Sequence, residues 1–503
     1  MIAVVLLVTA ACGSTVQVRG TSGVSGPQLT DGSGTGSVPD GVTGPAPGAT
    51  ASGPGSNPAT PGGTAGVGTG TSGPGTQVPS ATTGGRGQGP TALTTGFGFT
   101  STEIRIGVAY DSTFSQELGA VGVGAGSASV GDQKLQVQAL VDDLNKRGGI
   151  AHRRVVPVFY DTKGSTSNNN PNTIAQAACS YWTQDHQVWA ALTYVVQMDN
   201  QALYACLAKK HVVFMPLAGE AASTFAKYAP YLWSPAGVTP EQVAPLWAAR
   251  LKALGYFSAW DTRLGRSGSA PLVVGLLYGN GVRNSQPELD DSFRAAVKHA
   301  LAAYGVKVAI EAEVTASQAS ESSAVLRFSN AHVTHVIGDY SVVNFTQAAE
   351  SQGYRPRYAL SSFSGGVAMK LFAPPSQLRG SVGIGWVPSG DVESDRDPGT
   401  SGQAHCRKVM KDANQNTTVR LAWFAMTWAC DAFSFLEHAL PLTGLDSAQL
   451  PGAAARMGRL SGAFTFAMEF PRGKPYGVAL ARDYAYDTGC GCFLYTSRTD
   501  HPL

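Results

Sequence analysis

The side chains able to form covalent links are few: seven cysteines, at Cys12, Cys179, Cys206, Cys406, Cys430, Cys490 and Cys492. Cys12 stands apart, next to an apolar N-terminal run. The other six are an even set, able to close up to three disulfides in an oxidising compartment. A metal site is disfavoured, because no Cys-x-x-Cys pair and no histidine at ligand spacing occurs. Cys179 and Cys206 are expected to pair, joining two consecutive helices. Cys490-Gly491-Cys492 would be strained as its own bridge, so each of its cysteines is expected to pair with Cys406 or Cys430. Catalytic spacings are missing. Gly119, Gly122, Gly124 and Gly126 do not follow G-x-G-x-x-G, and no helix starts directly on them. There is no GKS or GKT phosphate loop and no G-x-S-x-G elbow in the folded region. No enzyme and no cofactor is read from the chain.

The N-terminus speaks to compartment. Val8-Thr9-Ala10-Ala11-Cys12-Gly13 ends a short apolar run and resembles a bacterial lipobox, which makes Cys12 the expected lipid anchor. Thr9 stands where Leu or Val is usual and no Lys/Arg-bearing segment precedes the run, so the true start is expected upstream; the alternative is an ordinary cleaved signal that removes Cys12. From Gly13 to residue 98 the chain is almost wholly Gly, Ser, Thr, Pro and Ala. Such a stretch buries too little surface to offset its ordering entropy, so a disordered tether with a reach on the order of 50 Å is expected. Lys+Arg number 36 and Asp+Glu 34, a net charge of +2 that gives no electrostatic reason for a nucleic-acid partner.

From Glu103 onward strands and helices alternate. Ile104, Ile106 and Val108 alternate in a first strand; Val137, Leu140, Val141 and Leu144 line one helix face, which Gly148-Gly149 terminates. Strands follow at Val155–Tyr160, Val188–Leu192 and Val212–Met215. The pattern restarts after Pro235 with Leu272–Leu277, a continuous apolar run of the kind buried on both faces. Val306–Ile310, His335–Ile337 and Tyr358–Leu360 are further strands, and Val419–Leu440 is a core helix. The reading is α/β, with two Rossmann-like lobes built on parallel sheets.

Strand Ile104–Tyr110, the turn Asn145-Lys146-Arg147-Gly148-Gly149-Ile150 and Tyr160-Asp161 together resemble the type I periplasmic binding proteins, in particular the Leu/Ile/Val receptors of branched-chain amino acid ABC transporters. The likeness runs in order over roughly residues 103–495 and includes a cysteine pair placed like Cys179 and Cys206. It implies three interlobe crossings, near Ala236, Trp386 and Leu460. The lobes would then be residues 103–235 with 387–459, and 236–386 with 460–503, preceded by an anchor (1–12) and a linker (13–98).

The resemblance also implies a ligand at the C-terminal strand ends. These are Asp111, Ser112 and Thr113 after the first strand, Thr193 and Tyr194 after the third, and Leu217, Ala218 and Gly219 after the fourth. The second lobe supplies Tyr278, Asp339, Tyr340 and Ser362. Thr193 matches a carboxylate-binding hydroxyl and Tyr340 the second-lobe aromatic. Ser361 and Ser362 stand where the ammonium-binding acid is usual, leaving Asp339 for that role. The implied function is an extracytoplasmic solute-binding lipoprotein on the outer face of the cytoplasmic membrane, monomeric, which delivers an amino acid or related amide to an ABC permease. A ligand sensor without transport is the alternative, and a cell-surface hydrolase a third.

Overall fold

The structure is a computed structural model and describes residues 93–116, 129–163, 170–217, 219–279, 287–315, 317–393 and 395–503. Cys12, Ala218, the glycine run and the linker up to residue 92 lie outside these residues.

The first sheet has the strand order β2-β1-β3-β4, all parallel: β1 (Glu103–Tyr110), β2 (Arg154–Asp161), β3 (Ala190–Thr193) and β4 (Val213–Met215). Ile104, Ile106 and Val108 are wholly buried, so β1 forms because both its faces are covered. Between β1 and β2 runs α1 (Gln133–Lys146). The Asp132 carboxylate caps its start by accepting from Leu135 N, and Gly148 and Gly149, at φ of +103° and +72°, end it. Helices α2 (Pro171–Ser180) and α3 (Gln201–Lys209) follow, and the Cys179–Cys206 disulfide joins them.

After β4 the chain enters the second sheet through α4 (Pro240–Ala253), which the Thr239 hydroxyl caps. The sheet then gains β5 (Val274–Gly279), α5 (Pro287–Ala302), β6 (Val308–Val314), α6 (Gln318–Asn330), β7 (His335–Gly338), α7 (Val342–Ser351), β8 (Arg357–Ser361) and β9 (Val382–Gly385). Strand β6 begins two residues later than the apolar pattern indicates, because Gly305 at φ +70° and the Val306 N to Leu301 O bond prolong the turn. From β9 the chain returns to the first sheet, where α8 (Ser401–Asp412) and α9 (Arg420–Thr443) pack on α1. Leu421, Ala425, Trp428, Phe435 and Leu436 bury one stripe of α9, each large side chain contributing about 1.5–3 kcal/mol. Gly444, left-handed at φ +63°, ends the helix.

The chain then crosses back and closes with β10 (Leu480–Asp487) and β11 (Cys492–Tyr495). The second sheet thus runs β11-β10-β9-β8-β7-β5-β6, and β10 and β11 are antiparallel. The parallel sheet read from the sequence holds from β9 to β6, and β10 and β11 add an antiparallel edge to it. No helix intervenes between β10 and β11, and strands joined by a short turn can only return antiparallel.

Two further expectations change. Cys406 pairs with Cys430, and Cys490 pairs with Cys492. The first pair sits where α8 packs on α9, at a Cα separation of 5.9 Å. In the second, Gly491 takes φ +60°, a left-handed conformation that turns the chain back on itself within three residues. The segment just before Glu103 is tied to the rest of the fold. Leu93 N donates to Gly444 O, and Arg153 donates to the carbonyls of Leu93 and Thr100.

Candidate functional site

Parallel strands leave their C-terminal ends open to loops, and the side chains singled out there have distinct fates. On the first sheet, Asp111 is buried, and its Oδ1 accepts from Thr113 N and Thr113 Oγ1 at 2.8 and 2.7 Å. Ser112 is exposed and donates its N–H to Asp161. Thr193 is fully buried, with its hydroxyl spent on a local turn: it donates to Val195 O and accepts from Val195 N. Leu217 N donates to Asp199 Oδ1. Gly219 serves backbone approach, since a Cβ there would lie 2.0 Å from Val238 O on the connection between sheets.

Tyr194 differs from these. Its ring meets Trp428 edge-on at 5.4 Å, and its hydroxyl is buried without a hydrogen-bond partner among the described residues. Burial raises its pKa, so it is a neutral donor at all working pH values. Trp182 and Trp189 are core residues, both buried.

On the second sheet, Arg294 stacks over the Tyr278 ring at 4.6 Å. Asp339 Oδ1 accepts from Ser341 N at 2.9 Å, and the Tyr340 hydroxyl donates to Gly279 O. Asp339, Tyr340, Asp290, Phe293 and Phe363 line an open pocket of about 350 Å³ together with Pro240, from the start of α4.

A larger pocket, also open to solvent, lies beyond β8 and shares Phe363 with the first. Its walls come from three parts of the chain: Ser362 to Ala368 after β8, Val387 to Gly390 after β9, and Arg420, Leu421 and Phe424 from the start of α9. The pocket is apolar except for serine hydroxyls and one guanidinium. Phe363 stands edge-on to Trp386 at 5.0 Å and to Phe293 at 6.1 Å, which holds the shared wall.

Beneath this pocket lies a buried carboxylate. Asp391 Oδ2 accepts from Ser362 Oγ (2.8 Å), Tyr495 Oη (2.8 Å) and Val387 N (2.9 Å). Ser362 Oγ in turn accepts from Trp386 N at 2.7 Å. Ser362 is therefore part of a clamp on the β9 exit. Arg420 Nη2 donates to Pro388 O at 2.6 Å and to Val392 O, and Nη1 lies 3.8 Å from Asp397 Oδ2. Burial lowers the Arg420 pKa, yet guanidinium stays charged in proteins.

Sequence reasoning missed Arg420, Phe363, Asp391 and Tyr495. One signal was present: Arg420 is a cation in the first turn of a long apolar helix, where the helix dipole disfavours it.

Burial pushes the Asp391 carboxyl up to about 7, against the opposing pull of Ser362, Tyr495, Val387 and Arg420. Asp431 and Glu321 are also raised to about 7 by burial. An unfolded carboxyl titrates near 4, so between about pH 4 and 7 the folded chain holds the extra protons and stability falls as pH rises. For one such group the full difference is on the order of 4 kcal/mol. The melting temperature is expected to be several degrees higher at pH 5 than at pH 8, with a smaller difference in Asp391→Asn. A melting temperature flat across that range in a pH scan would contradict this assignment.

Among the described residues no group of His, Cys, Asp and Glu could hold a metal ion, and no helix is long and apolar enough to cross a membrane.

No protein-family model and no curated relative matches the sequence. Solved structures do. An ABC-transporter solute-binding protein from Rhodopseudomonas palustris in complex with p-hydroxybenzoic acid aligns at 11% identity and TM-score 0.56, over 80% of this chain and 97% of that one. A branched-chain amino acid transporter substrate-binding protein from Streptococcus pneumoniae in complex with isoleucine aligns at 12% identity and TM-score 0.53, over 80% and 99%. A type 1 periplasmic binding protein from Bordetella pertussis aligns at 11% identity and TM-score 0.53, over 80% and 99%. The chain has the type I periplasmic binding protein fold. In that fold the strand-end pockets lined by Phe363 lie on the side of the sheets where α/β proteins place ligands.

Proposed function

We propose that the chain is an extracytoplasmic solute-binding protein of an ABC transporter that closes two lobes on a small carboxylate and presents the closed form to a permease. One observation carries the reading: the larger pocket draws its walls from the second sheet's β8 edge, from the β9 exit and from α9 of the first-sheet unit, so a solute seated there bridges both units. The lobes are residues 103–235 with 387–459 and 236–386 with 460–503. They hinge about the three passages between sheets, and ligand stabilises the closed form by touching both. Cys12 anchors the chain to the outer face of the membrane, and the protein acts as a monomer.

The lining supports the choice of solute. Arg420 suits a carboxylate, while Phe363, Leu421 and Phe424 suit an apolar body. Asp290 and Asp339, in the pocket across Phe363, would receive the ammonium of an amino acid or the amide of a related solute. The solved neighbours' own ligands, p-hydroxybenzoic acid and isoleucine, share the carboxylate and the apolar body.

A thermal-shift screen of amino acids, aromatic acids, amides and sugars tests this. Carboxylates with apolar bodies are expected to raise the melting temperature saturably, and their methyl esters and the sugars are not. Tyr340→Ala is expected to weaken the best of them about tenfold or more without unfolding the protein, as the adjoining pocket of Asp290 and Asp339 loses an aromatic wall. Ester and acid binding alike would remove the carboxylate; no shift with any compound would favour a sensor that reports on a protein partner.

A further inference from the structure

The three disulfides of the described residues are not alike. Cys179–Cys206 and Cys406–Cys430 span 27 and 24 residues and tie helix to helix, with Cys179 and Cys406 fully buried. Bridges of this span constrain the unfolded chain and resist attack by a thiol from solvent. Cys490–Cys492 spans two residues, so it closes almost no loop and adds little as a staple. It stands at the tip of the β10–β11 turn with Cys490 exposed. The turn is organised around it: Asp487 Oδ1 accepts from Gly489 N and Cys490 N at 2.6 and 3.2 Å, and Gly491 is left-handed at φ +60°.

The strand that leaves this turn leads to the clamp beneath the larger pocket. Cys492 is the first residue of β11 and pairs with Asp487. Next to it, Phe493 N donates to Glu393 Oε2 at 3.0 Å, and two residues further Tyr495 Oη donates to Asp391. Both acceptors lie on the segment that leaves β9 for the first sheet.

We propose that Cys490–Cys492 is a thiol-exchange site, modified by low-molecular-mass thiols while the other two bridges stay closed. The thiolate of such a thiol attacks Cys490 Sγ, the exposed sulfur. A new S–S bond forms between the incoming sulfur and Cys490 as the Cys490–Cys492 bond breaks. Cys492 leaves as a thiolate and takes a proton from water. A second small thiol can then attack the mixed disulfide, leaving the chain with two thiols and the small molecule as its own disulfide. The hairpin keeps its backbone pairing through this exchange, so the fold persists.

Glutathione is the probe. Native protein is incubated in glutathione redox buffers of increasing reducing strength, quenched with an alkylating agent, digested and read by mass spectrometry. The peptide holding Cys490 and Cys492 is expected to be alkylated or glutathionylated at least about tenfold faster than those holding Cys179, Cys206, Cys406 and Cys430, with circular dichroism unchanged. In Cys492→Ser, which has no resolving thiol, a stable glutathione adduct is expected on Cys490. Cys490→Ser/Cys492→Ser is expected to fold with an unaltered melting curve and to take up no glutathione. Loss of all three bridges together, or only on unfolding, would overturn the proposal. So would an adduct-free Cys492→Ser protein that folds normally. Solute binding is not a readout here, so the outcome is independent of the transport reading.

Discussion

Arg420→Met is expected to lower the affinity for the best carboxylate of the thermal-shift screen by about a hundredfold or more, with folding retained. The guanidinium is the cation lining the larger pocket, and it is held there by the carbonyls of Pro388 and Val392. A pocket otherwise lined by Phe363, Leu421 and Phe424 solvates a carboxylate poorly, so nearly all the stabilisation of its charge falls to Arg420. Removing one partner of a desolvated charge pair costs roughly 2–5 kcal/mol, and about 2.7 kcal/mol corresponds to a hundredfold. Methionine matches the aliphatic stem, so the change removes charge more than volume. Arg420→Lys separates the roles further: it keeps the charge but not the planar fork, and should lose part of the affinity. Calorimetric titration of the three proteins checks this. Equal affinity in the methionine variant would take the carboxylate away from Arg420 and move it to the other pocket.

Asp391→Ala is the second large effect, on stability. The wild-type carboxylate accepts from Ser362, Tyr495 and Val387, which come from the β8 exit, from β11 and from the β9 exit. Alanine leaves these donors buried with no acceptor, at roughly 1–3 kcal/mol for each that finds no substitute. A total loss of about 3–5 kcal/mol is expected, read as a shift in denaturant midpoint with unchanged slope. Part of the wild-type interaction is offset by the penalty of burying the charge, which raised the carboxyl to about 7. Asp391→Asn therefore serves as the rescue: its carbonyl oxygen still accepts, no charge is buried, and most of the stability should return at pH 8. If alanine and asparagine behaved alike, the hydrogen bonds would not be what holds the segment.

The alternation of strands and helices was legible because each element carries its own signal. Ile104, Ile106 and Val108 mark a strand by period, and Val137, Leu140, Val141 and Leu144 mark a helix face. Asp132, Thr239 and Gly444 punctuate helix ends by local hydrogen bonding or a left-handed turn. Even the bridge between α2 and α3 followed from the cysteines lying on neighbouring helices. Such features depend on residues close in sequence, and composition and period suffice for them.

The candidate site was legible only in outline, as a set of strand ends. Which side chains at those ends are available depended on bonds that period cannot foretell. The Thr193 hydroxyl turns onto Val195, while the Tyr194 hydroxyl beside it is buried with no hydrogen-bond partner among the described residues. The pocket itself joins Phe363, Ser389 and Arg420, and its clamp joins Ser362 to Asp391 and Asp391 to Tyr495, 104 residues apart. The same holds for the partner of each late cysteine and for the antiparallel edge, which β10 forms against the short, glycine-rich Val382–Gly385. Periodicity records which face of an element is buried. It carries no record of which distant element covers that face, and the charge, hydroxyl and aromatic ring of this pocket meet only when the chain has crossed between its sheets.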